Sequence, residues 1–328
     1  MPAHTQEFSR RRRDLLLGTG LMLAATPLLT ANPARADIDP AIAPLRAVHS
    51  FHLGAMKVTM IDDARFTFPA PAFAANQPGG SIGPFLDKFG LPTDTVTAHL
   101  QTTLVETGNR KVLLDTGMGD LAFPGNDLDA GRTFAGLAAI GVTPDQITDV
   151  ILSNGHPDHV GACAVKGVPC FENATYHMPP EELEFWTQKP GDEQNFLNFM
   201  LAAGNDKLEP VRAMIRSYHS GDEIVPGITA IAAPGHTLAH HAFMLANGGA
   251  RLLHLVDVAV HYLVGPEEPD WALAVELDPD QAQATRRSLF KQAAEEKLLV
   301  AAYHFPFPGI GRIVEMENAW RFVPMATA

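Results

Sequence analysis

The sequence predicts an α/β layered fold in a single domain, and three observations carry this prediction. Short apolar runs with strand character alternate along the chain with helical patterns. Polar residues stand at the ends of several of these runs, where the loops of a layered sheet gather along one edge. The chain has 328 residues of which 46% are hydrophobic, and no linker or internal repeat divides it, so one sizeable core is expected.

The elements in the first half of the chain follow from alternation and turn signals. Residues 51–68 alternate well enough for two strands around a turn at Asp62 and Asp63. Residues 69–92 are rich in Pro, Gly and Ala, which indicates a long surface loop. Further strands are expected at 97–106, 111–115 and 149–153, with a helix at 133–140.

The second half continues the alternation. Strands are expected at 174–178, 227–232, 251–256 and 298–303, with a mostly helical segment at 180–218 and a helix at 279–296. Three residues whose side chains are of types that bind metals in proteins follow the ends of these strands, namely His236, Asp257 and His304.

The first 36 residues have the pattern of an export signal. Four arginines at 10–13 precede an apolar run over about 15–31, and the small-residue triplet 34–36 suits cleavage by a signal peptidase. The paired arginines are typical of twin-arginine export. A membrane anchor is the alternative, but the run is interrupted by Gly and Pro and is short for a span. We therefore expect a signal peptide at 1–36, a domain at 37–328 with no membrane span, and a periplasmic or secreted protein.

Composition limits the partners. The chain has 24 Lys and Arg against 37 Asp and Glu, a formal net charge of −13. No basic cluster follows residue 35, so we expect no nucleic-acid binding, which needs a basic surface. The two cysteines, Cys163 and Cys170, cannot build a Cys-based zinc site, and whether they pair stays open.

The segment His156-Pro157-Asp158-His159 is the strongest local signal for a metal site. It places two imidazoles and a carboxylate on a tight loop directly after a buried strand, where they can converge. Such ligands suit one or two Zn²⁺ ions, with Mn²⁺, Co²⁺ or Fe²⁺ as alternatives. Alone, the segment also fits a polar loop with structural histidines. Together with His236, Asp257 and His304 at other strand ends, it favours a metal centre.

With these residues the chain resembles a metallo-β-lactamase-fold hydrolase, in the exported branch that contains methyl parathion hydrolase. The similarity runs from Asp115-Thr-Gly-Met-Gly to His304-Phe-Pro-Phe-Pro-Gly. It implies an αβ/βα sandwich with metals at one sheet edge, where Asp115 orients a ligand imidazole. The implied ligands are Asp158, His159 and His304 for one metal, Asn154, His156 and His236 for the other, and Asp257 as the bridge.

One residue departs from the family pattern H-x-H-x-D-H. The chain reads Asn154-Gly155-His156-Pro157-Asp158-His159, so an amide stands where the first histidine is expected. An amide oxygen is a weaker ligand for zinc than an imidazole nitrogen. Three interpretations stay open: Asn154 is a weak ligand in a two-metal enzyme, it stays off the metal in a one-metal enzyme, or it marks a protein that has lost catalysis.

The resemblance implies hydrolysis by a metal-bound hydroxide, with Asp158 and Asp257 as the catalytic carboxylates. We expect a small neutral substrate, an aryl ester, lactone or phosphotriester, because the acidic chain repels anions. The alternatives are a hydrolytic dehalogenase of chlorinated aromatics and a non-catalytic metal-binding protein, and homodimer formation stays open. The candidate pocket residues are Phe66, Phe73, Trp186 and His261.

Overall fold

The structure is a computed structural model that describes residues 48–121, 130–192 and 195–325. The predicted signal peptide lies outside the described residues. Within them, two seven-stranded sheets enclose one core, to which both contribute buried side chains such as Met60 and Phe243. No helix in these ranges is long and apolar enough to cross a membrane.

The first sheet has the strand order β1-β2-β3-β4-β5-β8-β9. Its first four strands are antiparallel, and β4, β5, β8 and β9 are parallel. A separate two-stranded hairpin, β6 (Ala164–Val165) and β7 (Val168–Pro169), follows β5. The sheet comprises β1 (Val48–Leu53), β2 (Met56–Pro69), β3 (Thr95–Thr107), β4 (Arg110–Leu114), β5 (Asp149–Ile151), β8 (Thr175–Met178) and β9 (Ile215–Ser217).

The second sheet runs in sequence order from β10 to β16. All neighbouring strands are antiparallel except β13 and β14, which are parallel and connected through a long helix. The sheet comprises β10 (Glu223–Val225), β11 (Ile228–Ala232), β12 (His241–Asn247), β13 (Ala250–His254), β14 (Leu299–Ala301), β15 (Ile310–Glu315) and β16 (Trp320–Pro324).

Helices cover the outer faces of both sheets. The described helices are α1 (Ile82–Asp87), α2 (Thr133–Ala139), α3 (Pro157–Val160), α4 (Pro180–Trp186), α5 (Phe196–Leu208), α6 (Val264–Glu267) and α7 (Pro279–Glu295), with 3-10 turns at 70–73, 144–146, 209–214 and 256–258.

The strand residues alternate between these layers. On β13, Leu252 belongs to the core between the sheets, whereas its neighbour Leu253 packs with Phe290 of α7. On β2, Ile61 points to the other face, where Gly136 of α2 packs so closely that a Cβ would lie 2.3 Å from the Ile61 side chain. The order helix, sheet, sheet, helix is the predicted αβ/βα sandwich, and the fold class is confirmed.

The predicted turn at Asp62 and Asp63 is wrong. The chain turns at Gly54, whose φ of 60° lies in the left-handed region that glycine tolerates, and β2 then continues to Pro69. Asp63 is a buried bulge residue that accepts hydrogen bonds from the Met118 and Thr133 amides at 2.8 and 2.7 Å. An acidic pair that is typical of a turn therefore serves here to anchor two loops inside the fold.

Other boundaries differ because burial hides the periodicity. Strand β12 was not predicted, since its first five residues are all buried and show no polar alternation. Strands β15 and β16 also lie beyond the last predicted strand. The predicted loop at 69–92 contains a 3-10 turn and α1, and the predicted helical segment at 180–218 is divided into α4, α5, a 3-10 turn and β9.

Candidate metal centre

Loops from both sheets bring the predicted ligands together at one edge of the sandwich. Residues 154–159 follow β5 of the first sheet. His236, Asp257 and His304 follow β11, β13 and β14 of the second sheet. Because these loops leave the ends of buried strands, their side chains converge in the structure into two groups.

The first group consists of Asp158, His159 and His304, whose ligand atoms lie within 4.8 Å of one another. Oδ2 of Asp158 lies 3.6 Å from Nε2 of each of the two histidines. Nδ1 of His304 donates to the carbonyl of His99 at 2.8 Å, which directs Nε2 of the same ring to the group.

The second group consists of His156, His236 and Asp257, again with ligand atoms within 4.8 Å of one another. Nδ1 of His156 lies 3.0 Å from Nε2 of His236. Burial lowers the pKa of His156 to about 3 and that of His236 well below its ordinary value, so both imidazoles are neutral at pH 7.

Asp257 faces both groups. Its Oδ2 lies 3.0 Å from Nε2 of His159 and 3.3 Å from Nε2 of His236, and its Oδ1 lies 3.0 Å from Nε2 of His304. Burial opposes ionisation of this carboxyl, but the imidazoles, His159 above all, hold its pKa well below the ordinary value. The carboxylate thus occupies the position expected of a bridge.

The site residues fit a divalent cation. Buried nitrogen and oxygen atoms without a hydrogen-bond partner cost about 1–3 kcal/mol each, so such atoms need an explanation. A divalent cation held between imidazoles and carboxylates would satisfy them, and this ligand set suits zinc. Among the described residues, the buried atoms that face the two groups and lack a hydrogen bond are His159 Nε2 and Asp257 Oδ1.

Asn154 lies at the site, but it turns its amide nitrogen to the carboxylate. Its Nδ2 donates to Oδ2 of Asp257 at 2.8 Å, and its Oδ1 accepts the backbone N–H of His156 at 2.8 Å. In the opposite orientation the amide nitrogen of Asn154 would face the backbone N–H of His156, and two donors would meet. The contact with His156 therefore determines which way the amide points. An amide nitrogen offers no lone pair to a cation.

Asp115 lies behind His159, as expected. Its Oδ2 accepts from Nδ1 of His159 at 2.9 Å, and its Oδ1 accepts the amide of Ser153 at 2.8 Å. Burial disfavours the charged imidazole, but the carboxylates of Asp257, Asp158 and Asp115 raise the pKa of His159 well above its ordinary value. The φ of Asp115 is 55°, a left-handed conformation that is uncommon for a residue other than glycine.

Two of the predicted pocket residues line one small cavity. Phe73 and His261 face it together with Val260 and Trp271, and the Phe73 and His261 ring centroids are 6.1 Å apart. Nδ1 of His261 accepts the amide of Val264 at 3.2 Å, and burial lowers the pKa of His261 to about 4. The ring is therefore neutral and carries its proton on Nε2.

The other two predicted pocket residues lie elsewhere. Phe66 is part of the core between the sheets. Trp186 is fully buried behind His156, with ring centroids 4.8 Å apart, and its indole donates to Glu182. Large aromatic side chains near a site are often core rather than pocket, and that is where these two lie.

Sequence reasoning missed Glu182, a fully buried carboxylate that contacts both ligand loops. It belongs to no motif. The available signal is its spacing of four residues from Trp186, which places both side chains on one face of a helix.

The two cysteines flank the β6–β7 hairpin, where the Cys170 amide donates to the Cys163 carbonyl at 3.0 Å, and both are thiols in the structure.

Two layered sheets with histidines and carboxylates gathered at one edge define the class of metallo-β-lactamase-fold proteins. Residues 101–304 match the family model of the Metallo-beta-lactamase superfamily, which is more than half of the chain. The chain belongs to this superfamily. The sequence prediction of a metal-dependent hydrolase is thereby confirmed at the level of the superfamily.

Solved structures share the fold across most of the chain. AidC, described as a dizinc quorum-quenching lactonase in complex with a product, is 23% identical, with a TM-score of 0.80 over 86% of this chain and 98% of that one. The hydrolase AbOPH is 24% identical, with a TM-score of 0.78 over 87% of this chain and 99% of that one. A quorum-quenching N-acyl homoserine lactone lactonase is 19% identical, with a TM-score of 0.57 over 80% of this chain and 100% of that one. A search of curated proteins gave no match.

Proposed function

We propose that the protein is a metal-dependent hydrolase of small neutral lactones or esters, with phosphotriesters as the further class that its resemblance to methyl parathion hydrolase suggests. The observation that carries the proposal is the pair of ligand groups that meet at Asp257. The described lactonase activity of structural neighbours supports the lactone assignment.

The metals would be held by side chains on four loops. Asp158, His159 and His304 would hold one ion and His156 and His236 the other, with Asp257 between them. Divalent cations there, zinc in the first place, would polarise the scissile carbonyl and lower the pKa of water.

Asp158 is the residue of the site best suited to accept a proton. Burial raises the pKa of its carboxyl from the ordinary value, and the imidazoles of His159 and His304 act in the opposite direction. Its side chain is 15% exposed, whereas that of Asp257 is fully buried, so substrate or water can reach it. In this proposal Asp158 orients the attacking water and receives its proton.

The charges that line the cavity of Phe73 and His261 are compensated, which suits neutral molecules. The cation on its wall, Arg286, pairs with Glu276 and donates to the carbonyl of Val258 at 2.8 Å. His261 is neutral, so its Nε2–H can donate to a substrate oxygen without attracting an anion. Phe73 and Trp271 make two walls of the cavity apolar.

Asn154 stays off the metal in this proposal. Its Oδ1 is engaged by the His156 amide, and its Nδ2 holds the Asp257 carboxylate. The second group then has two imidazoles and a shared carboxylate, and it binds its ion more weakly than the first.

The proposal also includes twin-arginine export. Substitution of the paired arginines by lysine should block this export, and comparison of cell fractions from the parent and the variant measures the effect.

A substrate panel tests the function. Purified protein is assayed on neutral lactones, aryl esters, phosphotriesters and chlorinated aromatics, with added zinc or manganese and again after chelation. We expect turnover of a lactone or ester that chelation abolishes and metal restores. Turnover of chlorinated aromatics alone would instead assign a dehalogenase. Absence of metal-dependent turnover on every class, combined with its appearance in Asn154→His, would identify a protein that has lost catalysis.

A further inference from the structure

Glu182 is a buried carboxylate that no part of the proposed chemistry uses. It lies on α4, outside the two ligand groups, and is 0% exposed. Burying an ionised group without partners is strongly unfavourable, so its surroundings must supply compensation.

Four donors surround this carboxylate. Oε1 accepts from Oγ1 of Thr237 and from the amide of Ala239, both at 2.7 Å. Oε2 accepts from the amide of Gly155 at 3.1 Å and from the indole Nε1 of Trp186 at 2.7 Å. Each oxygen of the carboxylate therefore accepts two hydrogen bonds.

The surroundings favour a carboxylate over a carboxamide. Backbone amides and the indole donate but cannot accept, so a carboxamide nitrogen would set one of its two hydrogens against at least one of them, and a carboxylic acid could direct its hydrogen only to Oγ1 of Thr237. Burial raises the pKa of Glu182 from its ordinary value, and the four hydrogen bonds act in the opposite direction.

Three of the four donors belong to the loops that carry His156 and His236, and the fourth, Trp186, lies on α4 with Glu182 itself. Gly155 precedes His156 on the loop after β5, and Thr237 follows His236 on the loop after β11. These loops come from different sheets, and the two histidines approach to 3.0 Å between Nδ1 and Nε2. Glu182 connects the loops directly beside that contact.

Packing leaves the connection little freedom. A Cβ added at Gly155 would lie 2.2 Å from the indole of Trp186, so the His156 loop rests directly on the side chain that Glu182 holds. The His156 ring also packs edge-on against the same indole, with centroids 4.8 Å apart.

The first ligand group is held by other means. Asp115 orients His159 through its Nδ1, and the carbonyl of His99 orients His304. Neither contact involves Glu182. A change at Glu182 should therefore act on one group and spare the other.

We propose that Glu182 is a positioning residue that sets the placement of His156 relative to His236, and thereby the metal affinity of the group formed by these histidines and Asp257. The inference rests on the proposed metal site. It goes beyond it by assigning a residue outside the ligand set to one of the two ions.

Cobalt titration tests this inference without relying on activity. The full chain, Glu182→Gln and Asp149→Asn are titrated with Co²⁺, and the visible spectrum and the stoichiometry are recorded. Asp149→Asn is the matched control, since Asp149 is a buried carboxylate on β5 that bonds Thr148, Arg110 and His177 rather than a ligand loop. We expect Glu182→Gln to weaken one equivalent by roughly 10–100-fold, as for other residues that orient metal ligands. The other equivalent should bind as in the parent.

Asp149→Asn should lower the melting temperature and leave both equivalents unchanged. Equal weakening of both equivalents in Glu182→Gln, or no weakening of either, would overturn the inference. If the parent binds no cobalt, the proposed function itself fails, which is a different result. Should Glu182→Gln not fold, Thr237→Val and Trp186→Phe each remove one donor, and each is expected to weaken the same equivalent by a smaller factor.

Discussion

The two ligand groups share Asp257 but are supported in different ways. Negative charge supports the first group, because the carboxylate of Asp115 contacts His159 and Asp158 is itself a ligand-type carboxylate. Hydrogen bonds to Glu182 support the second group. Asn154, which stands where the family has a further ligand of this group, donates to Asp257 instead.

This difference separates two ways of building a metal site. Carboxylates raise the pKa of His159 and thus the basicity of the first group, so its affinity has an electrostatic origin. The imidazoles of the second group are held neutral by burial, and their affinity depends on placement. The first group should therefore bind more tightly and respond to pH, whereas the second should respond to changes in its loops.

The largest effect is expected for Asp257→Asn, since this residue serves both groups. Loss of its charge should empty or weaken both sites and lower kcat/KM by about a thousandfold, because metal activation supplies several kcal/mol of transition-state stabilisation. Metal analysis and steady-state kinetics measure the change, with Asp149→Asn as the isosteric control. Retention of either ion at parental affinity would show that Asp257 does not join the groups.

Next in size is the contrast between His159→Ala and His236→Ala. The first variant should lose the tighter equivalent, and the second should lose the weaker one and keep the tighter. Equilibrium dialysis with zinc distinguishes them, and the exposed His219 provides a control in His219→Ala. If His236→Ala removed the tighter ion, the ranking of the two groups would be reversed.

A smaller effect is expected for Asp115→Asn. The amide keeps the shape of the side chain but removes the charge behind His159, so affinity of the first group should fall by roughly 10–100-fold. The second group should not change. Competition with a chromophoric chelator measures both affinities in one experiment, and parallel losses in the two groups would contradict the separation between them.

The smallest effect is the pH dependence of binding. The raised pKa of His159 means that a metal must displace a proton there, whereas His156 and His236 are already neutral. Affinity of the first group should therefore fall by about tenfold per unit as pH decreases through the neutral range, while that of the second stays nearly level. Isothermal titration in buffers of different ionisation enthalpy counts the released protons. Proton release when the second group binds its ion, and none when the first group does, would contradict the assignment of the displaced proton to His159.

The sequence predicted an α/β layered fold and a cluster of metal-binding residue types because both leave local signals, whereas the αβ/βα sandwich and the assignment of ligands came from the resemblance to a known family. Strand ends followed by His156 to His159, His236 and His304 indicate a common edge whatever the details of the strands. What escaped prediction depends on contacts between distant segments. Asp63 has the composition of a turn but is buried as an anchor, and Glu182 gains its role only when two loops from different sheets reach it. Asn154 was recognised as a departure, but which of its amide atoms faces the site is decided by the His156 amide.

Zinc titration of the parent beside Asn154→His tests the central claim, the inequality of the two groups, most directly. The parent should bind two equivalents in separate steps, with the second weaker. In Asn154→His a third imidazole joins the second group, so the second step should tighten and approach the first, while the first stays in place. Two equal steps in the parent, or an unchanged second step in Asn154→His, would contradict the account.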